Sequence, residues 1–289
     1  MSRRTAADVL NAGAMPIHLR DTEMSDLLTL EGCSVLIVGG AGRNLGADCT
    51  RAVASLGGDV AIVDLNLDAA EVLAAEVSER WGSRAIALQG DVGSVADVGR
   101  FVAAAIDELG QVDVLVHNAG GATIGDLAPA PFVDSSSEHN EATIDLNLVG
   151  VMRVLRAVIP DMAARRSGRI VIVSSEAAKM RLLDRAAYSA SKAGVSGLVR
   201  ALAHEIGPQG VRINAVCPGV MIGADLLEMF SALDADETPR VLVDSFSRVS
   251  LERPCHPSEV ANVVAFLATD VASYIHGQSI SVGGGMADT

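Results

Sequence analysis

The chain has 289 residues, 49% of them hydrophobic and 20% charged, with a formal net charge of −14. That length and apolar content exclude a disulfide- or metal-dependent miniprotein and general disorder, and the acidic balance argues against nucleic acid as a partner. Four scattered Cys without a CxxC pair read as reduced thiols with no metal site, and no apolar run reaches the roughly 18 residues of a membrane span, so a cytoplasmic protein is expected.

Residues 1–30 are mixed and polar, with Pro16 and no sustained period. They read as an N-terminal extension, in part helical, ahead of one domain over 31–289. The start MSRRTAADVL has paired arginines but no apolar core, which makes a poor secretion signal. From Ser34 the pattern turns regular. Short β-rich runs lie at Ser34–Val38, Asp59–Val63, Arg84–Leu88, Val112–Val116, Arg169–Val173, Val211–Val216 and Ser279–Val282. Helical spacing fills Leu45–Leu56, Ala69–Trp81, 94–109, 137–163 and 186–206. Buried strands alternating with helices predict an α/β fold: a single doubly wound, parallel, seven-stranded sheet with helices on both faces, of Rossmann type.

The first strand runs into Gly39-Gly40-Ala41-Gly42-Arg43-Asn44-Leu45-Gly46, which opens a helix. Glycines let the backbone turn and approach a pyrophosphate, and the helix N-terminus offers free N–H groups. Asp64 ends the second strand, 18 residues beyond Gly46, where a carboxylate can accept hydrogen bonds from an adenosine ribose. The bland alternative is a structural turn with a helix-capping Asp. Asp64 would repel a 2′-phosphate and favours NAD over NADP; Arg43 pulls the other way.

Of 22 basic residues only two are lysine, Lys179 and Lys192, and only two residues are tyrosine, Tyr188 and Tyr274. Tyr188 and Lys192 are four apart in a helical stretch, on one helix face. Chance gives such a spacing with probability on the order of 0.01 at this composition. An ammonium beside a phenol lowers its pKa, and the pair becomes a general acid/base.

These motifs, with His117-Asn118-Ala119-Gly120, Asn147, Ser175 and Tyr188-Ser189-Ala190-Ser191-Lys192, resemble the short-chain dehydrogenase/reductase superfamily in its short FabG-like form, from about Ser34 to Gly285. Ser175 precedes Tyr188 by 13 residues, as in that family. The resemblance implies that Tyr188 gives or takes the hydroxyl proton and Ser175 steadies the substrate oxygen. Lys192 would bind the nicotinamide ribose and lower the Tyr188 pKa, and Asn147 would hold a water linking Lys192 to solvent. The implied cofactor-binding set is Gly40, Gly42, Arg43, Asn44, Leu45, Gly46, Asp64, Leu65, Asp91, Val92, Asn118, Ala119, Gly120, Tyr188, Lys192, Pro218, Gly219 and Met221. The family's substrate lid corresponds to residues 221–250, apolar over Met221–Phe230 and acidic over Asp234–Glu237.

The sequence departs from the family at several points. Gly39 replaces the usual Thr, Asn44 the middle Gly of the loop, His117 an Asn, and Gly223 a Thr that touches the carboxamide. Val282-Gly283-Gly284 replaces Val-Asp-Gly-Gly. Asn44 is expected to tolerate positive φ there. The six His show no ligand spacing and read as surface or supporting residues, and Cys217 as a small buried hydrophobe. Glu176 either lines a substrate pocket or turns outward, and the outward reading is preferred. Arg181 and Arg185 read as solvated loop residues.

The expected activity is hydride transfer between NAD and an apolar secondary alcohol or ketone (alicyclic, steroid-like or hydroxyacyl). The alternatives are an NADP-dependent 3-oxoacyl reductase and a non-catalytic dinucleotide-binding sensor or assembly protein. The family implies a homotetramer or homodimer.

Overall fold

The β-rich runs become strands β1 (Ser34–Val38), β2 (Asp59–Asp64), β3 (Ala85–Gln89), β4 (Val114–His117), β5 (Gly168–Val173), β6 (Val211–Pro218) and β7 (Ser279–Val282). This computed structural model describes residues 22–42, 44–121, 130–223 and 247–286. All adjacent pairs are parallel, in the order β3-β2-β1-β4-β5-β6-β7. Strands β1 and β4 are buried along their whole length, as expected where both faces are covered.

Alternation decides which face each residue serves. Val35, Ile37, Val60, Ile62, Val114 and Val116 pack with helices α1 (Leu45–Ser55), α2 (Leu67–Trp81) and α7 (Pro257–Ala268). Leu36, Val38, Ala61, Val63, Leu115 and Ile172 pack with α3 (Val95–Leu109), α5 (Gly150–Arg165) and α6 (Ala186–Ile206). Each fully buried Val, Leu or Ile contributes about 1.5–3 kcal/mol, so a one-residue slip of any inner strand would forfeit its whole set on both faces. Leu30 is already in the core, its N–H bonded to the Leu56 carbonyl, just after a single helical turn at Met24–Leu27.

The stretch 137–163 is not one regular helix. It splits into α4 (Ser137–Ile144), a π-helical turn over Asp145–Val149, and α5. The extra residue of a π turn re-aims side chains, and such turns gather at functional sites. Helix α7 has no counterpart among the helical stretches read from the sequence. Its signals are local: Pro257 in its first turn and a capping box between His256 and Glu259. Among the described residues, no helix is long and apolar enough to cross a membrane.

The strand order reverses between β1 and β4. Crevices at such switch points, outside the carboxyl ends of the strands, are where doubly wound sheets bind ligands. Val38 and His117 end the two strands side by side.

Candidate active site

The glycine loop is pinned from three sides. Gly39 and Gly40 donate to the Val63 carbonyl at 2.7 and 3.1 Å. Asn118 Nδ2 donates to the Gly39 carbonyl at 2.9 Å, and the Ala41 N–H donates to Asp64 Oδ2 at 3.0 Å. Gly39 has φ +74°, and a Cβ there would lie 2.6 Å from the Ala119 nitrogen. A β-branched side chain at position 39 would not fit this conformation. Asn44 does not use its tolerance of positive φ, since it has φ −97°. A Cβ on Gly46 would collide with the Gly39 carbonyl oxygen and come 3.0 Å from Asn118 Nδ2. Gly46→Ala is therefore expected to open the loop and destabilise the fold by about 1–3 kcal/mol, read by chemical denaturation. Wild-type stability in that variant would mean that the loop is not closely packed.

Between this loop and the ends of β2, β3 and β4 lies a cavity of about 240 Å³. Gly42, Asp64, Leu65, Asp91, Val92, Asn118, Ala119 and Gly120 of the predicted set line it. Asp64 also serves the fold, because its oxygens accept the Ala41 and Asn66 N–H groups. Both the ribose-binding and the structural readings of this residue thus have a physical basis. The sequence reading missed Val38, Gly39, Gly90 and Leu146 in the lining. Gly90 carried a signal as a glycine directly after a strand; Leu146 carried none, because the π turn places it there.

The remaining cofactor positions lie apart from this lining. Gly40 is packed on Ile37 and Ile62, and Leu45 is buried in α1. Gly219 abuts Gly283, and Met221 bridges to Cys255. Arg43 and lid residues 224–246 lie outside the described residues. Asn44 and Gly223 are neighbours, since a Cβ on Gly223 would lie 3.3 Å from Asn44 Oδ1. The two departures meet in space: one position gains an amide where the other lacks a hydroxyl.

Beyond Gly120 lie the four residues expected to carry the catalysis. Lys192 is 3% exposed and donates from Nζ to the Val173 carbonyl at 3.0 Å. Asn147, in the π turn, donates to the carbonyls of Gly121 and Thr143 and accepts the Gly121 N–H at 3.0 Å. Tyr188 lies one helical turn before Lys192, whose Nζ is 5.8 Å from the ring centroid. Ser175 caps a short 3₁₀ turn, accepting the Ala177 N–H. Gly120 joins the two regions: it lines the cavity, and a Cβ on it would lie 2.6 Å from Asn147 Oδ1 and 3.3 Å from Lys192 Nζ.

Burial raises the Tyr188 phenol, while the Ser175 hydroxyl and the Arg185 charge oppose that rise. The Lys192 ammonium donates to the Val173 carbonyl, and burial holds its own pKa at about 8. His117 is fully buried with no partner on either ring nitrogen, and burial with the nearby Lys192 charge pushes it down to about 3. It is a neutral core residue. Cys217 is buried and its thiol pushed up, as suits a small hydrophobe.

One further reading is corrected: Glu176 does not turn outward; it is 1% exposed. The other lysine, Lys179, donates from Nζ to the Ser279 carbonyl and Ser281 Oγ at 2.9 and 2.7 Å, fastening the loop after Ser175 to β7. Among the described residues no group of three or more His, Cys, Asp or Glu is placed to hold a metal.

Comparison with known proteins places this geometry. The family model for enoyl-(acyl carrier protein) reductase matches residues 40–287. Oxidoreductase UcpA of Salmonella typhimurium is 36% identical over 258 residues, covering 89% of this chain and 95% of its own length. The 3-oxoacyl-(acyl-carrier-protein) reductase of a Synechocystis species is 36% identical over 261 residues, 90% of this chain and 99% of its own. A solved structure of 7α-hydroxysteroid dehydrogenase, complexed with NADH and 7-oxo glycochenodeoxycholic acid, superposes with a TM-score of 0.82 at 29% identity, covering 93% of this chain and 99% of that one.

Proposed function

We propose that this chain, which belongs to the short-chain dehydrogenase/reductase superfamily, is an oxidoreductase that exchanges a hydride between a nicotinamide dinucleotide and a secondary alcohol or its ketone. The observation that carries this reading is the position of Gly120, at once on the wall of the dinucleotide cavity and against Asn147 and Lys192. Residues 31–289 act as the catalytic domain, with 1–30 as an extension.

A dinucleotide fits the cradle, because Gly39 and Gly42 of the loop face the cavity without side chains and Asp64 stands at the end of β2. When bound, the dinucleotide supplies or accepts the hydride. Gly42, Asp64, Leu65, Asp91, Val92 and Asn118–Gly120 would hold it, with Lys192 on its nicotinamide ribose. Tyr188 gives or takes the hydroxyl proton, and Ser175 donates to the substrate oxygen. Asn147 orders the path from Lys192 to solvent. Phe132 borders a small recess beside Tyr188, together with the polar Ser135, His139, Asn140, Asp184 and Arg185; the apolar substrate is our reading of the sequence. Helices α4–α6 and strand β7 supply faces for a homotetramer or homodimer.

Asp64 supports NAD. NADH is expected to bind about tenfold or more tighter than NADPH, and Asp64→Ala to narrow that gap by relieving the repulsion of a 2′-phosphate. Fluorescence titration with both nucleotides measures it. Tighter NADPH binding would instead favour the 3-oxoacyl reductase reading, which the Synechocystis relative supports.

A further inference from the structure

A second cavity, of about 280 Å³, lies between the ends of β6 and β7 and residues 249–255. Its walls are largely apolar: Val220, Val249, Leu251, Pro254, Val282 and Met286. Four side chains in its lining break that pattern: Arg253, Glu259, Ser281 and Glu176. Glu176 is 1% exposed, and neither carboxylate oxygen has a hydrogen-bond partner. The cations nearby are committed elsewhere. Arg253 forms a two-pronged pair with Glu259, both bonds at 2.7 Å, and Lys179 is bound to β7.

The room for this carboxylate is specific to the chain. A Cβ on Gly283 would lie 3.0 Å from Glu176 Cγ and 3.3 Å from Cδ. Any side chain at 283 would crowd Glu176, and this is the position where the family frequently has Asp. The cavity also differs from the reaction site. Ser175 is extended, with φ −167° and ψ 155°, so the side chains of Ser175 and Glu176 leave the backbone on opposite sides.

A carboxylate buried without a donor is costly, and a ligand that brings a donor removes that cost. A cation removes more of it than a neutral hydroxyl, because charge-assisted bonds are about twice as strong. The net charge of −14 also favours cations near the surface. We propose that this cavity is a binding site for a protonated amine on an apolar body, with Glu176 as the partner of the ammonium.

The test is calorimetric titration of the full chain at neutral pH with cyclohexylamine, cyclohexanol and cyclohexanecarboxylate, without turnover. The amine should bind at least about tenfold tighter than the alcohol, and the carboxylate should not bind. Glu176→Gln should weaken the amine at least about tenfold while NADH binding is kept. Gly283→Ala, which crowds the carboxylate, should also weaken it, and this variant decides the matter if the Gln protein does not fold. Amine binding no tighter than that of the alcohol, or unchanged in the variants, would overturn the assignment.

Discussion

Tyr188→Phe is expected to lower kcat for oxidation of a secondary alcohol by about 10²–10⁴-fold, the range that a positioned proton donor or acceptor contributes. NADH binding should survive, because the phenol is not part of the dinucleotide cavity lining. Direction and pH follow from the same residue. Burial raises the phenol above its ordinary range, so at neutral pH it carries its proton and is ready to donate it to a ketone. Ketone reduction should hold at neutral pH and fall as pH rises through the phenol pKa. Alcohol oxidation, which needs the phenolate, should increase over the same interval. Steady-state rates in both directions across pH, for wild type and variant, check this. Turnover by the Phe variant at the wild-type rate would remove Tyr188 from the chemistry, whereas a wild type that binds NADH but turns over no secondary alcohol or ketone would make the non-catalytic sensor the better reading.

The sheet was legible because its strands are buried on both faces, and continuous Val/Ile/Leu runs are the signature of that burial. Helices α1 to α3 and α6 were legible from periodicity. Helix α7 was not read, although its Pro257 and its capping box were visible; an apolar stretch such as Val260–Ala268 has little polar face to reveal a period. The break between α4 and α5 could not be read, because a π turn leaves no compositional trace. In the site, Tyr188 and Lys192 were found from spacing alone, which fixes a helix face but not a hydrogen bond. Spacing brings the ammonium near the phenol but could not show that Lys192 Nζ also bonds the Val173 carbonyl. Glu176 was misread for a similar reason: chain position next to Ser175 says nothing about whether β7 leaves room behind it.

Lys192→Met should produce a protein that is inactive and more stable. A lysine held at about 8 rather than 10.5 opposes folding at neutral pH by about 3 kcal/mol, at about 1.36 kcal/mol per pH unit. The sign follows from proton counting. Between about pH 8 and 10.5 the unfolded chain holds the proton that the folded chain has lost, so wild-type stability rises with pH across that window. Below it the full penalty applies. Methionine has nearly the same length and no charge, so it escapes the penalty. It also leaves the Val173 carbonyl without its Nζ partner, which costs about 1 kcal/mol. The net gain is about 2 kcal/mol at pH 7. Above about pH 10.5 the gain should vanish and reverse to a loss of about 1 kcal/mol, since wild-type Lys192 is then neutral in both states. Urea denaturation of both proteins at the two pH values measures the difference, with other titrating groups cancelling. A Met variant less stable than wild type at pH 7 would show that Lys192 is held there by structure rather than kept for chemistry. The expected result explains the rationing of lysine in a chain that otherwise places its positive charge on arginine. A guanidinium could not lose its proton at this buried position, and a neutral side chain would fold better there but leave Tyr188 and the dinucleotide without the ammonium that the proposed reaction uses.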